Sequence, residues 1–199
     1  MLPAAIRGYW DETSPAEDLT WNDRRGSGPN LGAGGGNVGN GTRKGRMTAS
    51  FDGSDWLSAT FACAQPFSVL FACRFGAWGI TAVLMDGRTT MVRVQRQAAN
   101  QILIAAPTGL TATFSSSLTD RWVVVGATFN GANSAVYENG VLRASGPAGA
   151  TNATGIVIGG PNGGGSLMFT GEIGEAHVVN ALTPTQMALD SWFAMRKWV

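Results

Sequence analysis

Charged side chains are scarce in this chain of 199 residues. Lysine and arginine number 14 and aspartate and glutamate number 13, so charged residues make up 14% of the sequence, against a typical share of about 25%. The formal net charge is only +1. A chain so nearly neutral has no strong electrostatic attraction for nucleic acid or for an anionic membrane, and we expect neither as a partner.

Cysteine and histidine are scarcer still. The two cysteines, Cys63 and Cys73, cannot build a disulfide framework. Alternation along the chain places Cys73 among buried aromatics, which favours a small buried hydrophobe over the alternative of a Cys63–Cys73 bridge. The single histidine, His177, gives no support for a zinc site or a Ser-His-Asp triad.

Long apolar runs are missing as well. No stretch reaches the roughly 18 apolar residues that a membrane-spanning helix needs. Residues 1–10 lack a basic region followed by an apolar stretch, so we expect no signal peptide. Synthesis in a reducing cytoplasm fits this pattern and the shortage of cysteine.

Glycine, in contrast, is abundant at 28 residues and punctuates short alternating segments. Residues 121–139 illustrate the pattern, in which a strand, an Asn-Gly turn, a second strand and another Asn-Gly turn follow one another. Residues 67–75 alternate most cleanly, with Phe67, Val69, Phe71, Cys73 and Phe75 on one side. Short strands recurring with Gly, Asn and Asp turns predict an all-β antiparallel jelly-roll sandwich.

One helix is predicted, at the end of the chain. Thr183 is suited to the N-cap, Pro184 to the first helical position, and Gln186 completes a capping box. Leu189, Trp192 and Phe193 form an apolar stripe at helical spacing, which we expect to pack on the sandwich.

The first 46 residues differ from the rest, because they combine an acidic turn-forming run with the tract L-G-A-G-G-G-N-V-G-N-G. We predict two regions, an extended N-terminal arm over residues 1–46 and the jelly-roll domain over residues 47–199. The few apolar side chains of this region cannot, by their burial, offset the conformational entropy that a glycine-rich backbone loses on ordering. We therefore expect contacts with neighbouring subunits to order the arm, through Tyr9, Trp10, Trp21, Arg24 and Arg25.

The order of several short motifs resembles a known superfamily. They are F-D-G-S-D-W-L, W-V-V-V-G-A-T-F-N-G, A-V-Y-E-N-G-V-L, I-V-I-G-G and F-T-G-E-I-G-E-A-H-V-V-N. Together they are similar to concanavalin A-like lectin/glucanase domains, and within these to laminin-G-like domains. The preceding W-N-D-R-R-G-S-G-P-N resembles a segment that precedes such domains in bacteriophage virion proteins. These resemblances imply two packed antiparallel sheets and a place in a virus particle.

Glu172 and Glu175 are the closely spaced carboxylates of a predicted strand. Glucanases of the superfamily carry E-x-D-x-E there, whereas this chain has E-I-G-E. A spacing of three places the two acids on opposite faces unless a bulge intervenes. Retaining hydrolysis needs its carboxyls about 5–5.5 Å apart, so we predict that the protein is not an enzyme.

No cofactor is predicted, with calcium left as an alternative. Asp52, Asp55 and Asp86 are hard oxygen donors in predicted loops, but all three are also ordinary turn formers.

Two functions compete. The first is a non-enzymatic virion structural protein, a decoration, cement or fibre-base subunit that forms homo-oligomers and contacts other virion proteins. The second is a carbohydrate-binding module that recognises polysaccharide through Trp56, Trp78, Asn100 and Asn162, since aromatic faces stack on sugar rings. The alternative for each tryptophan is a place in the core or an interface.

Overall fold

A computed structural model describes residues 30–77 and 81–199 in full, together with the backbone of two earlier strands. Most of the described chain is strand, arranged as two antiparallel sheets with one α-helix and a short 3-10 helix at Gly131–Asn133. The predicted all-β sandwich with a C-terminal helix is confirmed. No helix among these residues has the length and apolar character needed to cross a membrane.

The first sheet has β16 (Thr170–Asn180) near its centre, because this long strand pairs with three others. In spatial order the sheet contains β14 (Val141–Gly146), β13 (Ser134–Glu138), β12 (Trp122–Phe129), β7 (Phe67–Phe75), β16, β5 (Arg46–Asp52) and β4 (Gly39–Arg43). β1 (Ile6–Trp10) pairs with the second half of β16, whose first half pairs with β5.

The second sheet faces the first across the core. In spatial order it contains β11 (Gly109–Thr113), β10 (Gln101–Ala105), β9 (Arg93–Ala98), β8 (Ala82–Gly87), β15 (Ile156–Ile158), β6 (Trp56–Ala59), β3 (Leu31–Gly35) and β2 (Thr20–Trp21).

The main core fills the space between the sheets, and β7 shows how the sequence builds it. Phe67, Val69, Phe71, Cys73 and Phe75 all point into it, as the period of two predicts. Cys63 is also buried there, and no disulfide joins it to Cys73. Burial raises the pKa of the Cys73 thiol. Both cysteines lie in the core and serve as small apolar side chains.

The helix α1 (Pro184–Trp198) begins as predicted. The Gln186 backbone N–H donates to Thr183 Oγ1 at 3.3 Å, and the Thr183 N–H donates to Gln186 Oε1 at 2.9 Å. α1 lies on the outer face of the first sheet, where its buried residues join a second apolar cluster with residues of β7, β12 and β13.

The face that α1 buries is not the predicted one. Met187, Ser191, Ala194 and Trp198 face the sheet, whereas Leu189, Trp192 and Phe193 are 53%, 44% and 61% exposed. The physical reason is Gly174 of β16, which leaves room for the Trp198 indole to lie directly on the strand. Trp198 also stacks on Trp122 at 5.7 Å, and these two contacts fix the rotation of the helix.

The prediction of an arm outside the fold is wrong for much of residues 1–46. Residues 31–35 and 39–43 are strands of the second and first sheet, Leu31 and Val38 are buried in the core, and β1 and β2 also pair with sheet strands. Backbone hydrogen bonds to neighbouring strands satisfy the polar groups of the glycine-rich segment. The prediction considered only the burial of apolar side chains and left these hydrogen bonds out. Arg24, Arg25 and Trp78 lie outside the described residues.

Candidate functional site

An aromatic side chain stands on the outer face of the second sheet. Along β6, Leu57 and Ala59 point into the core, so Trp56 and Ser58 point away from it and remain partly exposed. We use "Trp56 site" for Trp56, the glycines Gly34, Gly35 and Gly164, and the polar pair Ser58 and Arg88.

Glycine makes room for the Trp56 indole on two sides. A Cβ on Gly34 or Gly35 would overlap the ring, coming within 2.8 Å of Cε2 and 2.7 Å of Cζ2 respectively. Gly34 occupies a bulge of β3, where the register shifts between Ala33 and Gly35. A Cβ on Gly164 would lie 3.0 Å from Cζ3. The ring is therefore held against backbone rather than against side chains that could move.

Hydrogen-bonding side chains continue from Trp56 across the same face. Arg88 Nη1 donates to Ser58 Oγ at 3.0 Å, reaching over β15 from the end of β8. Farther along, Arg93 Nη2 and Nε donate to Asp86 Oδ2 at 2.6 and 3.2 Å. The face thus presents an aromatic ring beside planar polar groups, the combination that small-molecule sites use for orientation.

The residues predicted to contact glycans are not all brought together. Asn162 is exposed in the loop that carries Gly164, two residues away, so it lies in the loop beside Trp56. Asn100 lies instead in the turn between β9 and β10, which are three and four strands from β6 in the sheet order, and its Nδ2 donates to the Phe114 carbonyl at 3.3 Å. Trp78 is outside the described residues.

The three aspartates considered for calcium have structural partners. Asp55 is buried, and its Oδ1 accepts from the Asn37 N–H at 2.6 Å. Asp52 accepts from Ser54 N–H and Oγ, and these hydrogen bonds lower the pKa of Asp52. Asp86 pairs with Arg93. Across residues 30–77 and 81–199, no three acidic, histidine or cysteine side chains gather as a metal-binding group.

A sequence profile of the concanavalin A-like lectin/glucanases superfamily matches residues 48–188. The chain belongs to that superfamily. No curated protein sequence matches the chain. The concanavalin A-like resemblance read from the motifs is therefore confirmed, whereas the bacteriophage context stays a prediction.

Solved structures share the concanavalin A-like fold at low identity. Domain 4 of AbnA, an extracellular arabinanase of Geobacillus stearothermophilus in complex with arabinotriose, is 18% identical with a TM-score of 0.64. The match covers 94% of this chain and 97% of that domain. The botulinum neurotoxin type G receptor binding domain is 13% identical (TM-score 0.71), and a Trypanosoma rangeli sialidase in complex with 2,3-difluorosialic acid is 12% identical (0.70).

These neighbours differ in how much of their length they share with this concanavalin A-like chain. The matches cover 96% and 99% of the chain, but only 51% of the toxin domain and 34% of the sialidase. At such identities the likeness shows the fold alone.

The two glutamates raised by the comparison with glucanases lie on one face, because the strand contains the bulge that the expectation of opposite faces left open. A bulge between Ile173 and Glu175 returns both carboxylates to the outer face of the first sheet. Glu172 accepts from Arg74 at 2.6 Å, and the buried Glu175 accepts from Lys197 at 3.0 Å. Trp198 lies on Gly174 between them. The carboxylates are thus separated by a side chain and each is neutralised.

A groove of about 470 Å³ opens on that same face. It is lined by Thr42, Arg43, Arg74, Asp120, Arg121, Trp122, Glu172 and Val199. Arg74 pairs with Asp120 and Glu172, and Arg121 pairs with the buried Glu138 at 2.9 Å. Because carboxylates neutralise two of its three guanidinium groups, the groove presents little net charge to a ligand.

Sequence reasoning found Trp56 and Asn162 but missed Ser58 and Arg88. The alternation W-L-S-A after the Asp52-Gly53 turn could have placed Ser58 beside Trp56 on one face. Arg88 reaches that face because β15 pairs with both β6 and β8. The sequence does not predict this pairing.

Proposed function

We propose that this protein is a non-catalytic carbohydrate-binding module that recognises glycans at the Trp56 site. The observation that carries the proposal is the Trp56 ring, partly exposed and held against the backbone of Gly34 and Gly35. An aromatic face fixed in this way can stack on a sugar ring at little cost in side-chain entropy. Ser58 and Arg88 supply hydrogen bonds beside it.

The likeness to an arabinanase domain in complex with arabinotriose supports a glycan ligand. The surroundings of Glu172 and Glu175 support a binding role without hydrolysis. Trp198 fills the space between them, and Lys197 covers the buried Glu175. Canonical glycoside hydrolysis uses two carboxyls that flank the glycosidic bond, whereas here the Trp198 indole lies against Gly174, between the two glutamates in sequence.

The test is binding of the purified protein to a glycan array, followed by titration calorimetry on the best ligand. Trp56→Ala should weaken binding by about 5- to 150-fold, if stacking of a sugar ring contributes the same about 1–3 kcal/mol as stacking of a nucleic-acid base on an aromatic side chain. Trp192→Ala is the matched control, because Trp192 is an exposed tryptophan on the opposite side of the sandwich. Equal loss in both variants, or no glycan binding at all, would refute the proposal. Reducing ends should not be released from any bound glycan.

A second function, that of a structural subunit of a virus particle, is favoured by a different observation. Leu189, Trp192 and Phe193 form an exposed apolar face on α1. Taking about 150–250 Å² for each fully exposed large side chain, their exposed fractions correspond to on the order of 300 Å². A stable dimer buries about 800 Å² per partner, so this face alone suits one weak contact among several in an assembly. We assign its occupant as a second copy of this chain.

Sedimentation velocity over a range of protein concentrations tests that assignment. The wild type should self-associate as concentration rises, and Trp192→Ser with Phe193→Ser should remain monomeric. A wild type that is monomeric throughout would contradict the assignment. Mass spectrometry of purified virus particles should then find the chain as a stoichiometric component.

A further inference from the structure

Arg88 presents an exposed cation on the sheet face that carries the Trp56 ring. It follows β8 directly, and its backbone N–H donates to the Gly155 carbonyl at 3.3 Å. This anchor directs the side chain over β15 onto β6, where Nη1 donates to Ser58 Oγ at 3.0 Å. Trp56 and Ser58 are two residues apart on one strand face, a separation of about 7 Å. The guanidinium and the indole therefore border one patch of surface.

The charge of Arg88 is not balanced by the protein. The neighbouring cation on this face, Arg93, is paired with Asp86 at 2.6 Å. Within residues 30–77 and 81–199, no carboxylate lies in salt-bridge distance of Arg88. A guanidinium has five N–H donors in a planar fork, and the Ser58 hydroxyl occupies one. Arg88 thus keeps both its charge and most of its donors available to a ligand.

We infer, on the basis of the proposed function, that the ligand of the Trp56 site is an acidic glycan. A sugar ring stacks on Trp56, and the carboxylate carried by that sugar or its neighbour accepts a bidentate pair of hydrogen bonds from Arg88. Such pairs are the strong form of charge-assisted hydrogen bond, and they require an anionic planar acceptor. A neutral sugar offers the exposed guanidinium of Arg88 no charged acceptor.

The comparison that tests this inference uses acidic oligosaccharides and their methyl esters, which differ only in charge. Oligomers containing uronic acid or sialic acid are titrated in both forms, beside a sulfated neutral oligosaccharide. The free acid should bind about 10- to 100-fold more tightly than its ester, the range expected for hydrogen bonds to a charged group. Added salt should weaken binding of the acid and leave that of the ester nearly unchanged.

Arg88→Gln isolates the guanidinium. This variant should bind acid and ester equally, both at the affinity of the ester for the wild type, whereas Trp56→Ala should weaken both forms. Arg196→Gln is the control, because Arg196 also lies beside a tryptophan, 4.9 Å from the ring centre of Trp192, but on the other side of the sandwich. Unchanged thermal melting shows that the variants are folded.

The possible failures are distinct. If acid and ester bind equally well in a Trp56-dependent manner, the inference is refuted and the proposed function stands. The same holds if Arg88→Gln keeps the preference for the acid. Preference for the sulfated ligand over every carboxylate refutes the carboxylate assignment. If no glycan of the panel binds through Trp56, both the inference and the proposed function are refuted.

Discussion

Replacing Gly174 by alanine should strain the contact between α1 and the first sheet. The added Cβ would lie within 2.6 Å of Cε2 and Cε3 of Trp198, well inside van der Waals contact. The indole cannot retreat, because it is fully buried and stacks on Trp122 at 5.7 Å. Overpacking of this kind costs about 1–3 kcal/mol, and displacing the ring altogether would cost about 3–5 kcal/mol.

A double-mutant cycle separates the clash between the new Cβ and Trp198 from the change in backbone entropy when glycine becomes alanine. In a Trp198→Ala background the same change should be neutral or stabilising by up to about 1 kcal/mol, because alanine costs less conformational entropy than glycine in a strand. Gly32→Ala is the control, since a Cβ there meets nothing within 4 Å.

The assay is the free energy of unfolding in urea, by tryptophan fluorescence and circular dichroism. We expect Gly174→Ala to lower it by at least about 1 kcal/mol and Gly32→Ala to leave it unchanged or raise it by up to about 1 kcal/mol. A loss of similar size in both backgrounds would refute the reasoning, because the cost would then have nothing to do with Trp198.

Three further predictions concern other parts of the sandwich. Burial opposes the charge of Glu138, but hydrogen bonds from Ser115 and Arg121 and the charge of Arg143 together hold its pKa below the usual range. The stabilisation that Glu138 contributes should therefore be complete above about pH 4.3, the pKa of a glutamate in the unfolded chain, and should decline as the pH falls toward the folded pKa. In Glu138→Gln, the free energy of unfolding should fall less steeply with decreasing pH in the acidic range. The buried Cys73 thiol, whose pKa is raised by burial, should react with a thiol reagent only after unfolding, and fast labelling of the folded protein would contradict its position. Thr183→Ala should lower the unfolding free energy by about 1 kcal/mol through loss of the capping box, and Thr183→Ser should restore most of it.

Local patterns of the sequence predicted the elements well, because strands and caps depend on near neighbours. The alternation around Phe71 and the capping box at Thr183 both reappear in the structure. The orientation of α1 was not predictable in this way, because the helix has apolar residues on two sides. Only the space above Gly174, which belongs to a distant strand, selects the side that carries Trp198.

The candidate site was predictable only in part, for a similar reason. Trp56 was identifiable as an aromatic residue near a turn, but its support is the glycine tract of β3, which reads as a loop when considered alone. The bulge in β16 that turns Glu175 to the same face as Glu172 has only Gly174 as its local signal, and a glycine in a strand does not by itself fix a bulge. Both features depend on which strands become neighbours, and that is a property of the whole chain.

The central position of β16 has a consequence for how the protein is made. This strand, formed by residues 170–180, separates β7 from β5, which are formed more than 90 residues earlier. During translation, the facing edges of β7 and β5 must therefore stay open until residues 170–180 have left the ribosome. Pairing over such sequence separations is slow, and open edges invite association with other chains. Ribosome-bound chains that end before residue 170 should accordingly depend on chaperones in a way that the finished sandwich does not.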